Sequence, residues 1–334
     1  MARLLQKVLR IGISHVARIS MNKLEQYQNN TMNKRMKLGA SLAAILTVTS
    51  LSAVEIGPTG SGIELSGFAD LVYGHKDKDN SFETSQVELD LDFDSGPVTF
   101  SVDVDFTSAG TTLEEAVVTY APGNGFSLSA GRQLSFVGFE AYDPINMYQI
   151  SYAYDHSGGV QDIYDAYRDG ISASYANDMF SVSVFAQYVE DDNASRSADE
   201  DTGFEYAFAF TGVKNLTVKA IFADAPTYDV ENYWASYTYG DLLVAVEHAE
   251  KDNDTGDDIK GFLVMGAYTV NDSLGLTLRY SEEEIGTTDY DKFTISPNYA
   301  ISEDLLGVLE YSAQDSSVAG GDEDYFGIEL LYTF

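Results

Sequence analysis

The sequence predicts an all-β protein: a transmembrane, antiparallel up-and-down β-barrel of about sixteen strands, preceded by a signal peptide. Three observations lead to this prediction. Apolar and polar residues alternate with a period of two, short and long connections alternate along the chain, and the N-terminal segment has the composition of an export signal. A count of eighteen strands is the alternative.

The alternation is clearest in residues 86–106. Two stretches in which every second residue is apolar flank a turn at residues 94–97, and this pattern predicts a β-hairpin with one apolar and one polar face. The polar face carries acids of one sign: Glu88, Asp90, Asp92, Asp103 and Asp105. A soluble sandwich with acids in bulk water and a barrel with acids in an aqueous lumen both fit this hairpin.

Charge and cysteine content narrow the functional classes. The 334 residues include 53 acidic and 19 basic residues and no cysteine. Eight of the basic residues and only one acid lie in residues 1–53, so the rest of the chain is strongly acidic. Such acidity argues against nucleic acid as a partner.

Residues 1–53 are predicted to be an N-terminal extension and a cleavable signal peptide. A basic cluster precedes the apolar run 38–51, and small residues up to Ala53 suit cleavage there. Residues 1–31 are either an extended basic region of this signal or lie before the true start, and we favour a true start at Met32 or Met36. No later apolar run reaches about 18 residues, which excludes a helical membrane protein and leaves 54–334 as the β domain.

The predicted connections alternate in length. The short ones are 94–97, 121–125, 176–178, 211–215, 240–241, 270–273 and 301–304. The long, acidic ones are 75–83, 189–202, 224–231, 249–258, 281–291 and 312–324. Short turns at one end and long loops at the other are typical of an outer-membrane barrel.

Strand parity assigns residues 134–168 to a single loop at the long-loop end, with five strands before it and eleven after it. An even count keeps both termini on one side. Residues 146–154 look strand-like, and we expect them to lie inside the barrel. If they formed a wall strand, a second one would follow and the total would be eighteen.

The chain ends in Tyr332-Thr333-Phe334, and this ending, with the export signal and loop alternation, resembles Gram-negative porins. Residues 129–133, 137–140 and 142–143 are similar to the OmpL-like family of outer-membrane porins. The resemblance implies a homotrimer in the outer membrane, in contact with lipid and lipopolysaccharide. It also implies that Phe334 is an assembly signal for the outer-membrane assembly machinery and that the loop after strand five narrows the lumen.

These expectations give two groups of candidate site residues. The constriction group is Arg132, Glu140, Asp143, Asp155, Asp162, Asp165 and Arg168. The lumen-lining group is Glu88, Asp90, Asp92, Asp103, Asp105, Lys219, Arg279 and Lys292. Further acids share the predicted polar face: Glu64, Asp70, Glu205, Glu247, Glu310 and Glu329. The excess of acids predicts a pore that prefers cations.

The sequence favours a passive channel for ions and small hydrophilic solutes over an enzyme. The exported part has three histidines, His75, His156 and His248, and no G-x-S-x-G motif, so no nucleophilic site is predicted. No cofactor is expected, apart from Ca²⁺ or Mg²⁺ loosely bound at acidic loops such as Asp252, Asp254, Asp257 and Asp258. The alternatives are a structural or adhesive barrel with a plugged lumen, and an exported soluble carbohydrate-binding β protein.

Overall fold

The computed structural model describes residues 53–57, 60–76, 79–140, 142–156, 162–188 and 202–334. Within them, sixteen antiparallel strands form one closed sheet, which confirms the predicted barrel and its strand count. The predicted extension and signal peptide lie, except for Ala53, outside the described residues. No helix in the described ranges is both long enough and apolar enough to cross a membrane.

The first eight strands are β1 (Ile63–Lys76), β2 (Asp79–Asp94), β3 (Val98–Thr107), β4 (Gly110–Tyr120), β5 (Phe126–Leu134), β6 (Tyr167–Ala176), β7 (Phe180–Tyr188) and β8 (Thr202–Phe210). The second eight are β9 (Leu216–Ala225), β10 (Tyr228–Tyr239), β11 (Leu242–Asn253), β12 (Ile259–Asn271), β13 (Leu274–Ile285), β14 (Thr288–Ala300), β15 (Leu305–Ser316) and β16 (Glu323–Thr333). A two-residue strand, Val54–Glu55, pairs with β1.

Each strand pairs with its neighbours in sequence, and β16 closes the barrel on β1. The last residue prolongs this seam, because the backbones of Phe334 and Gly67 exchange two hydrogen bonds of 3.0 and 3.1 Å. This closure joins the first strand to the last, and a closed barrel is the form in which a sheet can lie in lipid.

The period of two separates a lipid-facing wall from a lumen-facing wall. In β8, Tyr206 and Phe208 are about half exposed on the outside, whereas Glu205 and Ala207, which alternate with them, are buried inside the barrel. Aromatic residues near strand ends are exposed on the outer face, as in an interfacial girdle. They include Tyr120, Tyr188, Tyr239, Tyr268, Tyr299 and Tyr311.

The structure corrects the lengths of several predicted long connections. Four regions predicted as long loops are at least half strand, and the connections that remain are 226–227, 254–258, 286–287 and 317–322. In a fifth, 75–83, every described residue belongs to a strand, because β1 ends at Lys76 and β2 begins at Asp79. Where water contacts both faces of a strand, apolar and polar residues no longer alternate, although the backbone hydrogen bonds between strands continue. The sequence pattern therefore predicted these strand ends as loops. The predicted connection 189–202 lies, except for its last residue, outside the described residues.

The long connection between β5 and β6 lies inside the barrel, where Pro144–Asn146 forms a short 3-10 helix. We call residues 135–166 the inner loop. Its apolar side chains pack against apolar inward-facing residues of β7–β12 and fill that half of the lumen. The apolar wall residues include Phe185, Ala207, Ile221, Val230, Trp234, Leu263 and Met265. No wall strand forms in the described part of this segment, so the eighteen-strand alternative is wrong.

Glycine permits close contact between loop and wall at one point. A Cβ atom at Gly261 would lie 2.6 Å from Ile163 and 2.7 Å from Tyr154 of the inner loop. A larger residue at this position would push the loop away from the wall.

Candidate functional site

The inner faces of β1–β4 form a wall of carboxylates, which we call the acidic wall. Its members are Glu64, Asp70, Glu88, Asp90, Asp92, Asp103, Asp105, Glu114 and Glu115. The one described basic residue of β1–β4 that shares their inward parity is Lys76. It lies at the end of β1, its side chain is 62% exposed, and it pairs with Glu323 at 2.7 Å.

A β-bulge adds an acid to this wall that strict alternation does not predict. Asp103 pairs with Glu115 and Val104 pairs with Leu113, so Glu114 is the extra residue between them. Leu113 is 46% exposed on the outside, whereas Glu114 is only 8% exposed. The bulge therefore lets two consecutive residues, Glu114 and Glu115, face the lumen.

The inner loop approaches the acidic wall at Tyr142 and Asp143. One carboxylate oxygen from each of Glu88, Glu114 and Asp143 lies within 4.8 Å of the others. The hydroxyl of Tyr167 donates to Asp143 at 3.2 Å. Burial, followed by the nearby Glu114 carboxylate, raises the pKa of Asp143 to about 7. At this point Glu88 and Glu114 are nearly buried, whereas Asp92, further along β2, is exposed.

On the opposite wall, the strongest attachment of the inner loop is a buried ion pair. Arg279 of β13 donates to Glu140 Oε1 at 2.6 Å, and both side chains are fully buried. The same guanidinium donates to the carbonyl oxygens of Ser151 at 2.7 Å and Tyr152 at 3.0 Å. It also donates to the hydroxyls of Ser151 and Thr294.

A second attachment involves β13 and β14. Lys292 donates to Asp155 Oδ1 and to the Tyr152 carbonyl at 2.7 and 2.8 Å. Burial tends to raise the pKa of Asp155, but the Lys292 ammonium, together with the charges of His156 and Arg279, lowers that pKa below its usual value. Beside this pair, the ring of His156 contacts the Glu283 carboxylate.

Wall carboxylates also hold the loop by accepting its backbone amides. Glu205 accepts from Phe136 N at 2.7 Å and Glu247 accepts from Phe139 N at 2.8 Å. Glu310 likewise accepts the amides of Ile150 and Ser151. Lys219 donates to the Phe136 carbonyl at 2.7 Å.

The structure divides the predicted constriction residues into three groups. Glu140 and Asp155 bind basic wall residues, and Asp165 contacts Tyr228 and lies 3.7 Å from Arg168. Asp162 is buried in the loop. Of the loop acids, Asp143 forms the three-carboxylate group with the acidic wall.

The prediction that Arg132 lies in the constriction is wrong. Arg132 pairs in register with Ala116 and Asp169, shares the outward parity of Phe126, and donates to the Leu113 carbonyl at 2.8 Å. Its position at the end of β5 places it on the outer surface. The sequence already indicated this orientation, because Phe126, Leu128 and Ala130 share the parity of Arg132 and are apolar.

The predicted lumen-lining bases do face inward, but the inner loop covers them. Lys219, Arg279 and Lys292 are each at most 4% exposed. Sequence reasoning missed Lys251, which also faces inward and lies 3.9 Å from Asp165. The acids at positions 252–258 do not group around a common point, since the three-carboxylate group is the one metal-sized cluster in the described part of the chain.

Comparison with known proteins decides the family. The family of Gram-negative porins matches residues 40–319, which is most of the chain. The chain is a Gram-negative porin. It therefore belongs to the channels of the outer membrane, in agreement with the closed barrel and the internal loop.

Solved structures similar to this porin have the same fold at low identity. OmpT of Vibrio cholerae has a TM-score of 0.59 at 19% identity, with 84% of this chain and 100% of that chain covered. An anion-selective porin from Comamonas acidovorans has a TM-score of 0.61 at 14% identity, with 81% and 99% covered. The outer-membrane channel DcaP of Acinetobacter baumannii has a TM-score of 0.60 at 13% identity, with 83% and 99% covered. No curated protein matches the sequence.

Proposed function

We propose that this porin is a passive channel for ions and small hydrophilic solutes that prefers cations. The observation that supports this most directly is the separation of charge across the lumen. The acidic wall faces the free half of the lumen, while the basic residues Lys219, Arg279 and Lys292 face the other half and bind the inner loop.

The free half of the lumen has a polar lining. The inner faces of β5 to β7 continue the acidic wall with hydroxyl groups such as Ser127, Ser129 and Ser174, which are half-buried. The apolar inward-facing residues of the cluster in β7–β12 are instead packed against the inner loop. A polar, incompletely covered wall favours a conducting channel over the alternative of a structural barrel with a plugged lumen.

Selectivity must come from this chain's own charges. The barrel fold is shared with a porin described as anion-selective, so the fold does not set the sign of the preferred ion. Carboxylates in a narrow passage with low-dielectric walls attract cations and repel anions. The effect should weaken with salt, because the screening length falls from about 10 Å at 0.1 M to about 3 Å at 1 M.

The reversal potential across a planar bilayer in a KCl gradient tests this proposal. We expect cation selectivity that declines as both salt concentrations are raised. Asp90→Asn with Asp103→Asn should reduce selectivity at low salt. The matched control is Glu282→Gln with Asp291→Asn, which removes two outward-facing charges. An anion-selective wild-type channel would refute the proposal, as would equal effects of the two double variants.

We also propose that the porin assembles as a homotrimer. One of the similar structures is described as a trimer form of OmpT of Vibrio cholerae. Chemical cross-linking of the native outer membrane tests this, and a product no larger than a monomer would contradict it.

A further inference from the structure

The point of closest approach between the inner loop and the acidic wall has the chemistry of a divalent-cation site. Glu88 comes from β2, Glu114 from the bulge in β4, and Asp143 from the loop. Their nearest carboxylate oxygens all lie within 4.8 Å of one another. Asp105 of β3 pairs directly with Glu88 and adds a fourth carboxylate beside them.

Two buried oxygens at this place lack a partner. Glu114 is 8% exposed and Asp105 is 6% exposed, yet Glu114 Oε2 and Asp105 Oδ1 accept no hydrogen bond among the described residues. The other oxygens of this group accept from neutral donors, Gln86 on Glu88, Tyr167 on Asp143 and the Phe106 amide on Asp105, and Glu88 shares a hydrogen bond with Glu114. None of these partners is a cation. A buried carboxylate oxygen without a donor is costly, and a bound cation would remove that cost.

The geometry points to a Ca²⁺ site formed by Glu88, Glu114 and Asp143. The channel function proposed above does not require this site. Ca²⁺ binds six to eight oxygens at about 2.3–2.6 Å, so two of its ligands lie at most about 5 Å apart. The three oxygens lie within 4.8 Å of one another, so one Ca²⁺ ion can bind all three. Ca²⁺ accepts flexible arrangements of six to eight oxygens, whereas Mg²⁺ demands near-ideal octahedral geometry, and carboxylates from three separate elements therefore favour Ca²⁺.

The position of the site gives the ion a regulatory role, and this part of the inference rests on the proposed channel function. The other loop attachments lie on β8 to β15, so Ca²⁺ would join the loop to the opposite wall. It would also neutralise carboxylates where the inner loop approaches the acidic wall. Bound Ca²⁺ should therefore lower both the conductance for K⁺ and the preference for cations.

Binding is measured first, on the folded full-length porin in detergent, with terbium(III) as the probe. Terbium occupies Ca²⁺ sites and is sensitised by nearby tyrosine, and Tyr167 contacts Asp143 directly. We expect a saturable signal that Ca²⁺ displaces at lower concentration than Mg²⁺. Glu114→Gln should weaken Ca²⁺ displacement at least tenfold, whereas the outer-face control Glu282→Gln should leave it unchanged. Circular dichroism and the electrophoretic shift on heating confirm that each variant is folded.

Conductance is then measured with and without Ca²⁺ for the wild type and for Glu114→Gln. Ca²⁺-displaceable binding that is lost in Glu114→Gln supports the site, even if the wild type proves anion-selective, which would refute only the proposed function. Absence of saturable binding would overturn the inference while leaving a cation-selective channel intact. Equal binding by the wild type and Glu114→Gln would also overturn it, since terbium would then occupy other acids.

Discussion

Replacing Arg279 with methionine should let the inner loop leave the barrel wall repeatedly without unfolding the barrel. The side chain makes five hydrogen bonds to the loop and to Thr294, the shortest of them 2.6 Å to Glu140. In Arg279→Met the Glu140 carboxylate keeps the donors Gln149 and Ala153 but loses its positive partner.

The expected magnitude follows from the burial of this pair. Both side chains are fully buried, and removing one partner of such a pair costs about 3–5 kcal/mol. That corresponds to a roughly 100- to 4,000-fold smaller equilibrium constant for docking of the loop. The loop keeps its contacts with Lys292, Glu205, Glu247 and Glu310, so we expect repeated excursions rather than permanent release.

Single-channel recording at fixed voltage measures these excursions as larger and noisier current. Arg132→Met is the matched control, because it removes the same charge from the outer surface. The double variant Arg279→Met with Glu140→Gln should be quieter than Arg279→Met, since no buried charge is left unpaired. A folded Arg279→Met channel with wild-type conductance and noise would refute the role of this pair.

Three further predictions concern the wall, the seam and the loop. Val102→Arg on the lipid face near the midplane should lower the free energy of unfolding by about 2–4 kcal/mol, measured by denaturant titration. Ser101→Arg, beside lumen-facing Asp92, should fold nearly normally, and equal effects of the two variants would contradict the assignment of faces. Deleting Phe334 removes the last hydrogen bonds of the seam and should reduce the folded porin recovered from outer membranes, and unchanged recovery would argue against an assembly role. Because its folded pKa is lowered, Asp155 stabilises the docked loop above the usual aspartate pKa, and this stability is lost only as pH falls through the lower value; the excess channel noise of Asp155→Asn over the wild type should therefore stay constant from about pH 7 to about pH 4.5, and a difference that disappears within this range would contradict the role of Asp155.

Sequence patterns predicted the parts of this porin that depend on the contrast between two faces of a strand. In β8 the apolar outward residues Tyr206 and Phe208 alternate with Glu205 and Ala207, and the lipid and lumen faces follow. The prediction placed Arg132 in the constriction because it is charged, although it shares the outward parity of the apolar residues of β5. Glu114 was missed because a bulge breaks the alternation, and its register is set by pairing between β3 and β4.

The sequence by itself determined the barrel, its sixteen strands and the single long segment between β5 and β6. Period-two alternation and strand parity are local properties of a chain that has lipid on one side and water on the other. Only the tertiary structure decided where the inner loop lies and which charges remain free. Contacts such as Glu140 with Arg279 join residues far apart in sequence, and their geometry depends on closure of the barrel. That closure leaves the acidic wall facing the open half of the lumen and covers the bases Lys219, Arg279 and Lys292 with the loop.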